Sequence, residues 1–175
     1  MTAIIVSAPQ WLTAREHLRG HVEQVGFFLA DYDESREALV LRDWRAMPPE
    51  AFEHQSEYHV TLRDEARPEL IAWAWNARAS LVEIHSHGET GLAEFSSSDI
   101  WGFGEWVPHV RWRLRGSPYA AIVTAGASFD ALAWVDDTGE PAQVSHIQVD
   151  KHRLPATART LSAPIRRARE ARRGR

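Results

Sequence analysis

The chain of 175 residues contains no cysteine. That absence excludes disulfides, thiolate metal ligands and cysteine-nucleophile chemistry together, so any metal must be held by His, Asp or Glu. No apolar run approaches the roughly 20 residues that cross a bilayer as a helix, and no membrane association is expected. The opening MTAIIVSAPQWLTAREHL has no basic stretch ahead of its short apolar run. It does not read as a secretory signal, and the expected location is cytoplasmic. Positive charge is scarce except near the C-terminus. The formal charge is −4, but residues 161–175 hold six Arg against one Glu, so that segment carries +5 and residues 1–160 carry −9. Such a segment can meet nucleic acid, an acidic partner or the acidic body of its own chain.

What is present is ordinary for a globular protein: 44% hydrophobic and 25% charged residues, in a length suited to one domain. We expect a domain over 1–155 and a basic, disordered tail over 156–175, where apolar residues are few. Ala3 to Ala8 reads as a short strand, followed by a helix from Pro9 to near Gly20. Val25 to Asp33 and Glu37 to Trp44 form a predicted hairpin, residues 45–57 a loop, and Tyr58 to Leu62 a further strand. A helix follows Pro68, and Leu81 to His85 is apolar enough to lie inside a sheet. Asp99 to Trp106 is predicted as a short helix stopped by Pro108. Tyr119 to Ala125, Phe129 to Asp136 and Val144 to Asp150 are closing strands. About seven strands and three helices define an α/β fold, a mixed β-sheet flanked by helices.

Chemistry concentrates after the interior strand. His85 and His87 stand at i and i+2, which on an extended segment places both rings on one side. Asp99 follows twelve residues later, across a Gly- and Ser-rich stretch able to fold back. Two His and one carboxylate leave a fourth position open, the pattern of a catalytic rather than a structural zinc site. A His-x-His pair alone is more often structural, and the wider segment decides the matter.

EIHSHGETGLAEFSSSD, Glu83 to Asp99, resembles the JAMM (JAB1/MPN) metalloprotease signature, His-x-His followed by a loop and Ser-x-x-Asp. The family's upstream Glu-x-x-Gly element has its match in Glu23 and Gly26 of EQVGFFLA. The resemblance spans roughly residues 20–135. Gly88 stands where the family usually has Pro, and the His87 to Asp99 spacing is one residue longer, with Ser97 and Ser98 as alternatives to Ser96. The resemblance implies a JAB1/MPN (cytidine-deaminase-like) fold with one Zn²⁺ per chain on His85, His87 and Asp99. It further implies that Glu23 takes the proton of the attacking water and that Ser96 donates a hydrogen bond to the oxyanion. Ser96 and Asp99 also fit a helix capping box.

By the same resemblance, the expected activity is an isopeptidase or peptidase cleaving after the C-terminal glycine of ubiquitin or a bacterial ubiquitin-like modifier. E1-like and E2-like operon partners and a place in antiphage defence go with that reading. Two alternatives are a non-enzymatic MPN scaffold, which loses the metal residues that this chain keeps, and a RadC-like protein using the Arg segment on DNA. A zinc nucleoside deaminase is disfavoured because that chemistry uses paired cysteines. The other seven histidines have no ligand spacing. Trp101 and Trp106, just after Asp99, are candidates to border a substrate groove.

Overall fold

The computed structural model describes residues 2–162. Strand β1 (Ala3–Val6) leads into helix α1 (Ala8–His17), capped by Ser7 and carrying Pro9 in its first turn. The hairpin of β2 (Val25–Asp33) and β3 (Ala38–Ala46) follows. A 3-10 turn at Pro49–Ala51 precedes β4 (Phe52–Gln55) and β5 (Val60–Leu62). Helix α2 (Ala66–Ala77), strand β6 (Ser80–Ser86) and helix α3 (Ser97–Arg113) come next. The chain closes with β7 (Tyr119–Ala125), β8 (Ser128–Trp134), β9 (Ala142–Gln143), β10 (His146–Val149) and β11 (His152–Pro155).

Among the described residues, nine strands form one mixed sheet in the order β11-β10-β1-β3-β2-β6-β7-β8-β9, while β4 and β5 pair separately. β1 runs parallel to β3 and β10, and β6 runs parallel to β7; the remaining pairs are antiparallel. Helices cover both faces of the sheet. On one, Phe27, Leu29, Leu81 and Val123 pack with Leu70 of α2 and Phe103 and Val107 of α3. On the other, Phe28, Val82, Ile84 and Ile122 pack with Ala14 of α1. Each large side chain so buried contributes about 1.5–3 kcal/mol of transfer free energy. The alternation also sets the chemistry: Glu83 and His85 share the Leu81 face of β6 and point toward α2 and α3.

Gly26 is explained by space. A Cβ built there would stand 2.0 Å from the outer edge of the Trp44 indole, which lies across the backbone of β2. The ring is held in turn against Phe28 at a centroid separation of 4.6 Å. Gly26→Ala is therefore expected to displace Trp44 and cost about 1–3 kcal/mol, the usual range for overpacking. Chemical denaturation of the variant measures this, and an unchanged midpoint would refute the account.

Four departures from the sequence reading have physical causes. α3 continues through Pro108 for 17 residues in all. Pro108 and Gly104, whose carbonyl loses its donor, are both exposed, while Val107 and Val110 stay buried on the opposite side. The expected loop over 45–57 contains β4, which only its pairing with β5 defines. β9 and β11 are two and four residues long and likewise exist through their partners. Finally, residues 157 to 160, which the sequence reading put in the tail, are docked on the domain. Thr157 Oγ1 donates to the Ala93 carbonyl at 2.6 Å, and Thr160 Oγ1 donates to the buried Asp130 carboxylate at 2.7 Å while accepting from the Phe95 amide at 3.0 Å. Hydrogen bonds dock this segment where apolar residues are lacking. The Arg-rich stretch from 163 onward lies outside the described residues.

Candidate metal centre

The candidate residues come from three connections. His85 is the penultimate residue of β6, with His87 just beyond the strand; Glu23 lies between α1 and β2; Ser96 and Asp99 open α3. Backbone pairing fixes the first two relative to each other, since Ser86 donates its amide to the Gln24 carbonyl at 3.0 Å and its hydroxyl oxygen accepts the Gln24 amide at 3.0 Å. Glu23 is also held from β4. Its amide donates to the Ser56 carbonyl at 2.8 Å, and its carbonyl accepts from Gln55 Nε2 at 2.9 Å. The capping box predicted at Ser96 forms: Ser96 Oγ accepts the Asp99 amide at 3.1 Å, and Asp99 Oδ2 accepts the Ser96 amide at 2.7 Å. Among the three consecutive serines this assigns the cap to Ser96. The box aims the Asp99 carboxylate back over the end of β6.

The two ring nitrogens and the carboxylate meet there. His85 Nε2 and His87 Nε2 are 3.2 Å apart, His87 Nε2 lies 3.2 Å from Asp99 Oδ2, and His85 Nε2 lies 3.7 Å from Asp99 Oδ1. All three residues offer a donor atom within 4.8 Å of the others, with His85 buried and the other two half-buried. The far side of each ring explains the inward one. His87 Nδ1 faces the Glu94 carbonyl at 3.1 Å, and His85 Nδ1 faces Glu83 Oε1 at 3.3 Å. Carbonyl and carboxylate oxygens only accept, so each Nδ1 carries a hydrogen, and each ring in its neutral form turns an Nε2 lone pair inward. Such a donor set fits a metal ion.

The electrostatics agree. Burial works against a charge on His85, but Asp99 and then Glu83 outweigh it and push its pKa up to about 10. Burial likewise opposes the Asp99 anion, and hydrogen bonds from His85 and His87 overcome it, holding the carboxyl well below the usual range. Glu23 is buried, and its Oε1 is 3.7 Å from His87 Nε2, beside the ligand set rather than within it. Burial raises its pKa against the pull of His87 and His85.

Space opens on two sides. A cleft of about 280 Å³, walled in part by His85, Asp99 and Val25, continues into a groove of about 710 Å³ between α2 and α3, the two sharing Arg67, Trp101, Gly102 and Trp106. Trp101 and Trp106 therefore do border a groove. On the other side, Glu23, His87 and Ser96 face a more open depression with Glu57 and Glu89. Sequence reasoning did not assign Glu83 its place behind His85. The signal was present, since residues i and i−2 of a strand share a face. The Glu94 carbonyl has no such signal because any residue type supplies one.

No family model matches the chain, and no curated protein matches it. Among solved structures it is similar to the solution structure of protein DSY2949 from Desulfitobacterium hafniense, with a TM-score of 0.51, 12% sequence identity, and coverage of 84% of this chain and 94% of that one. At this identity the likeness bears on the fold alone, an α/β arrangement with a mixed sheet. No helix among the described residues is long and apolar enough to cross a membrane.

Proposed function

We propose that the chain is a zinc hydrolase of the JAMM (JAB1/MPN) type that cleaves the amide or isopeptide bond after the C-terminal glycine of a ubiquitin-like modifier. The observation that carries this reading is the convergence of donor atoms: His85 Nε2 and His87 Nε2 stand 3.2 Å apart, and the two oxygens of Asp99 lie 3.7 and 3.2 Å from them, beside a buried Glu23. Ligand bonds of 2.0–2.1 Å at tetrahedral angles put neighbouring donors about 3.3 Å apart. His85, His87 and Asp99 would hold the ion. When bound, zinc supplies Lewis acidity toward a carbonyl and makes water more acidic.

The remaining chemistry belongs to the chain. Glu23, with its pKa raised by burial, accepts a proton from the attacking water and returns it to the departing amine. Ser96 uses its oxygen to cap α3 and keeps its hydroxyl hydrogen to donate to the oxyanion. The cleft and groove offer an apolar channel for an extended peptide end. Enzymes that activate and conjugate the modifier are the partners this reading calls for.

The test is to load the protein with Zn²⁺ and incubate it with ubiquitin-like fusions ending in Gly-Gly before a reporter peptide. Intact mass spectrometry is expected to find cleavage after the last glycine, abolished by chelation. A fully loaded protein that leaves every such fusion intact would sink the substrate assignment.

A further inference from the structure

Behind His85 runs a line of side chains that metal ligation does not itself require. Glu83 places Oε1 3.3 Å from His85 Nδ1, and its other oxygen, Oε2, accepts the Tyr119 hydroxyl at 2.8 Å. The Tyr119 oxygen accepts in turn from the Trp106 indole N–H at 3.0 Å. Tyr119 is fully buried, Trp106 and Glu83 half-buried. Sheet register makes the contact possible: Ala121 stands opposite Glu83, and Tyr119, two residues earlier on β7, reaches across diagonally.

The chain of bonds has one direction. An indole N–H can only donate, so the tyrosine oxygen receives it and turns its own hydrogen toward Glu83. Glu83 then accepts at both oxygens, which leaves the His85 hydrogen on Nδ1. Nothing in packing alone requires this arrangement. Leu81 on the same face of β6 is apolar, and a Val at 83 would avoid burying a carboxylate.

We infer that Glu83, Tyr119 and Trp106 are positioning residues that fix the tautomer and ring angle of His85, so that Nε2 meets His87 and Asp99. This rests on the metal-centre reading above. It goes further by making ligand quality depend on three residues that touch no ion. Trp106 also lines the groove, so the same indole belongs both to the substrate channel and to the support of a ligand.

The experiment titrates Zn²⁺ against a competing chelator in the full chain and records long-range ¹H–¹⁵N imidazole spectra of the zinc-loaded protein. Wild type is expected to show a single His85 signal with hydrogen on Nδ1. Glu83→Ala is expected to weaken zinc binding about 10- to 100-fold, the usual effect of losing such a partner. Its His85 signal should shift or split. Glu83→Gln, which still offers an oxygen to Nδ1, should restore the wild-type tautomer. A folded Glu83→Ala protein with unchanged zinc affinity and an unchanged His85 spectrum overturns the inference and leaves the metal centre standing. Wild-type protein that takes up no zinc overturns both. If Glu83→Ala does not fold, Tyr119→Phe decides: zinc binding about tenfold weaker is expected, and unchanged binding overturns the inference.

Discussion

Glu23→Gln is expected to abolish cleavage while leaving zinc binding unchanged. The side chain keeps its size, its buried position and its main-chain contacts to Ser56 and Gln55, but loses its ability to take a proton. General-base catalysis contributes about 10²- to 10⁴-fold, or about 3–5 kcal/mol of barrier. The loss is expected in kcat, with little change in substrate affinity, because proton transfer acts on the transition state. Zinc content, modifier binding and cleavage rate measured on one preparation decide the point. Near-normal cleavage with normal zinc would show that another group serves as the base.

Removing any one of the proposed ligands is expected to have the second large effect. His85→Ala, His87→Ala and Asp99→Ala should each lower bound zinc from about one ion per chain to a trace, since three protein ligands are the minimum for an open site. Metal analysis after dialysis measures this, and full occupancy in all three variants would place the ion elsewhere. Asp99 carries a second role that must be separated from the first. Its carboxylate also closes the capping box, so Asp99→Ala is expected to destabilise α3 by about 1 kcal/mol. Asp99→Asn can still accept the Ser96 amide and isolates the loss of a charged ligand. Protons compete for the same ring nitrogens, so zinc titrations of the wild type are expected to show weaker uptake as pH falls.

Most of this centre could be read from local pattern. The i, i+2 spacing of His85 and His87 needs only an extended backbone, and Ser96 to Asp99 needs only the start of a helix. Glu23 is different in kind. Its main chain is held by the Gln55 side chain at the end of β4 and by the Ser56 carbonyl just beyond, and β4 is a strand hidden inside an expected loop, so only the family resemblance pointed to it. Tyr119 is more remote still, since it reaches Glu83 through the parallel register of β6 and β7, which no local pattern fixes. Pro108 misled for a definite reason. A proline costs a helix one hydrogen bond, and here water can reach the freed carbonyl while the buried face of α3 pays for continuation. The segment from 156 to 160 was illegible because threonine hydroxyls and a buried aspartate hold it, and neither leaves an apolar trace.

Those threonines have a consequence for the order in which the chain is made. All the candidate ligands and Glu23 exist once residue 99 has been synthesised. The stretch between His87 and Asp99 is fastened from much further on: Thr157 bonds to Ala93 across 64 positions, and Thr160 and Arg159 bond to Phe95 and Glu94 across 65. A nascent chain emerges from its N-terminus. It therefore carries the complete set of candidate ligands long before it has the fastening that braces the loop. A braced loop between the candidate ligands cannot form before residue 160 has been made.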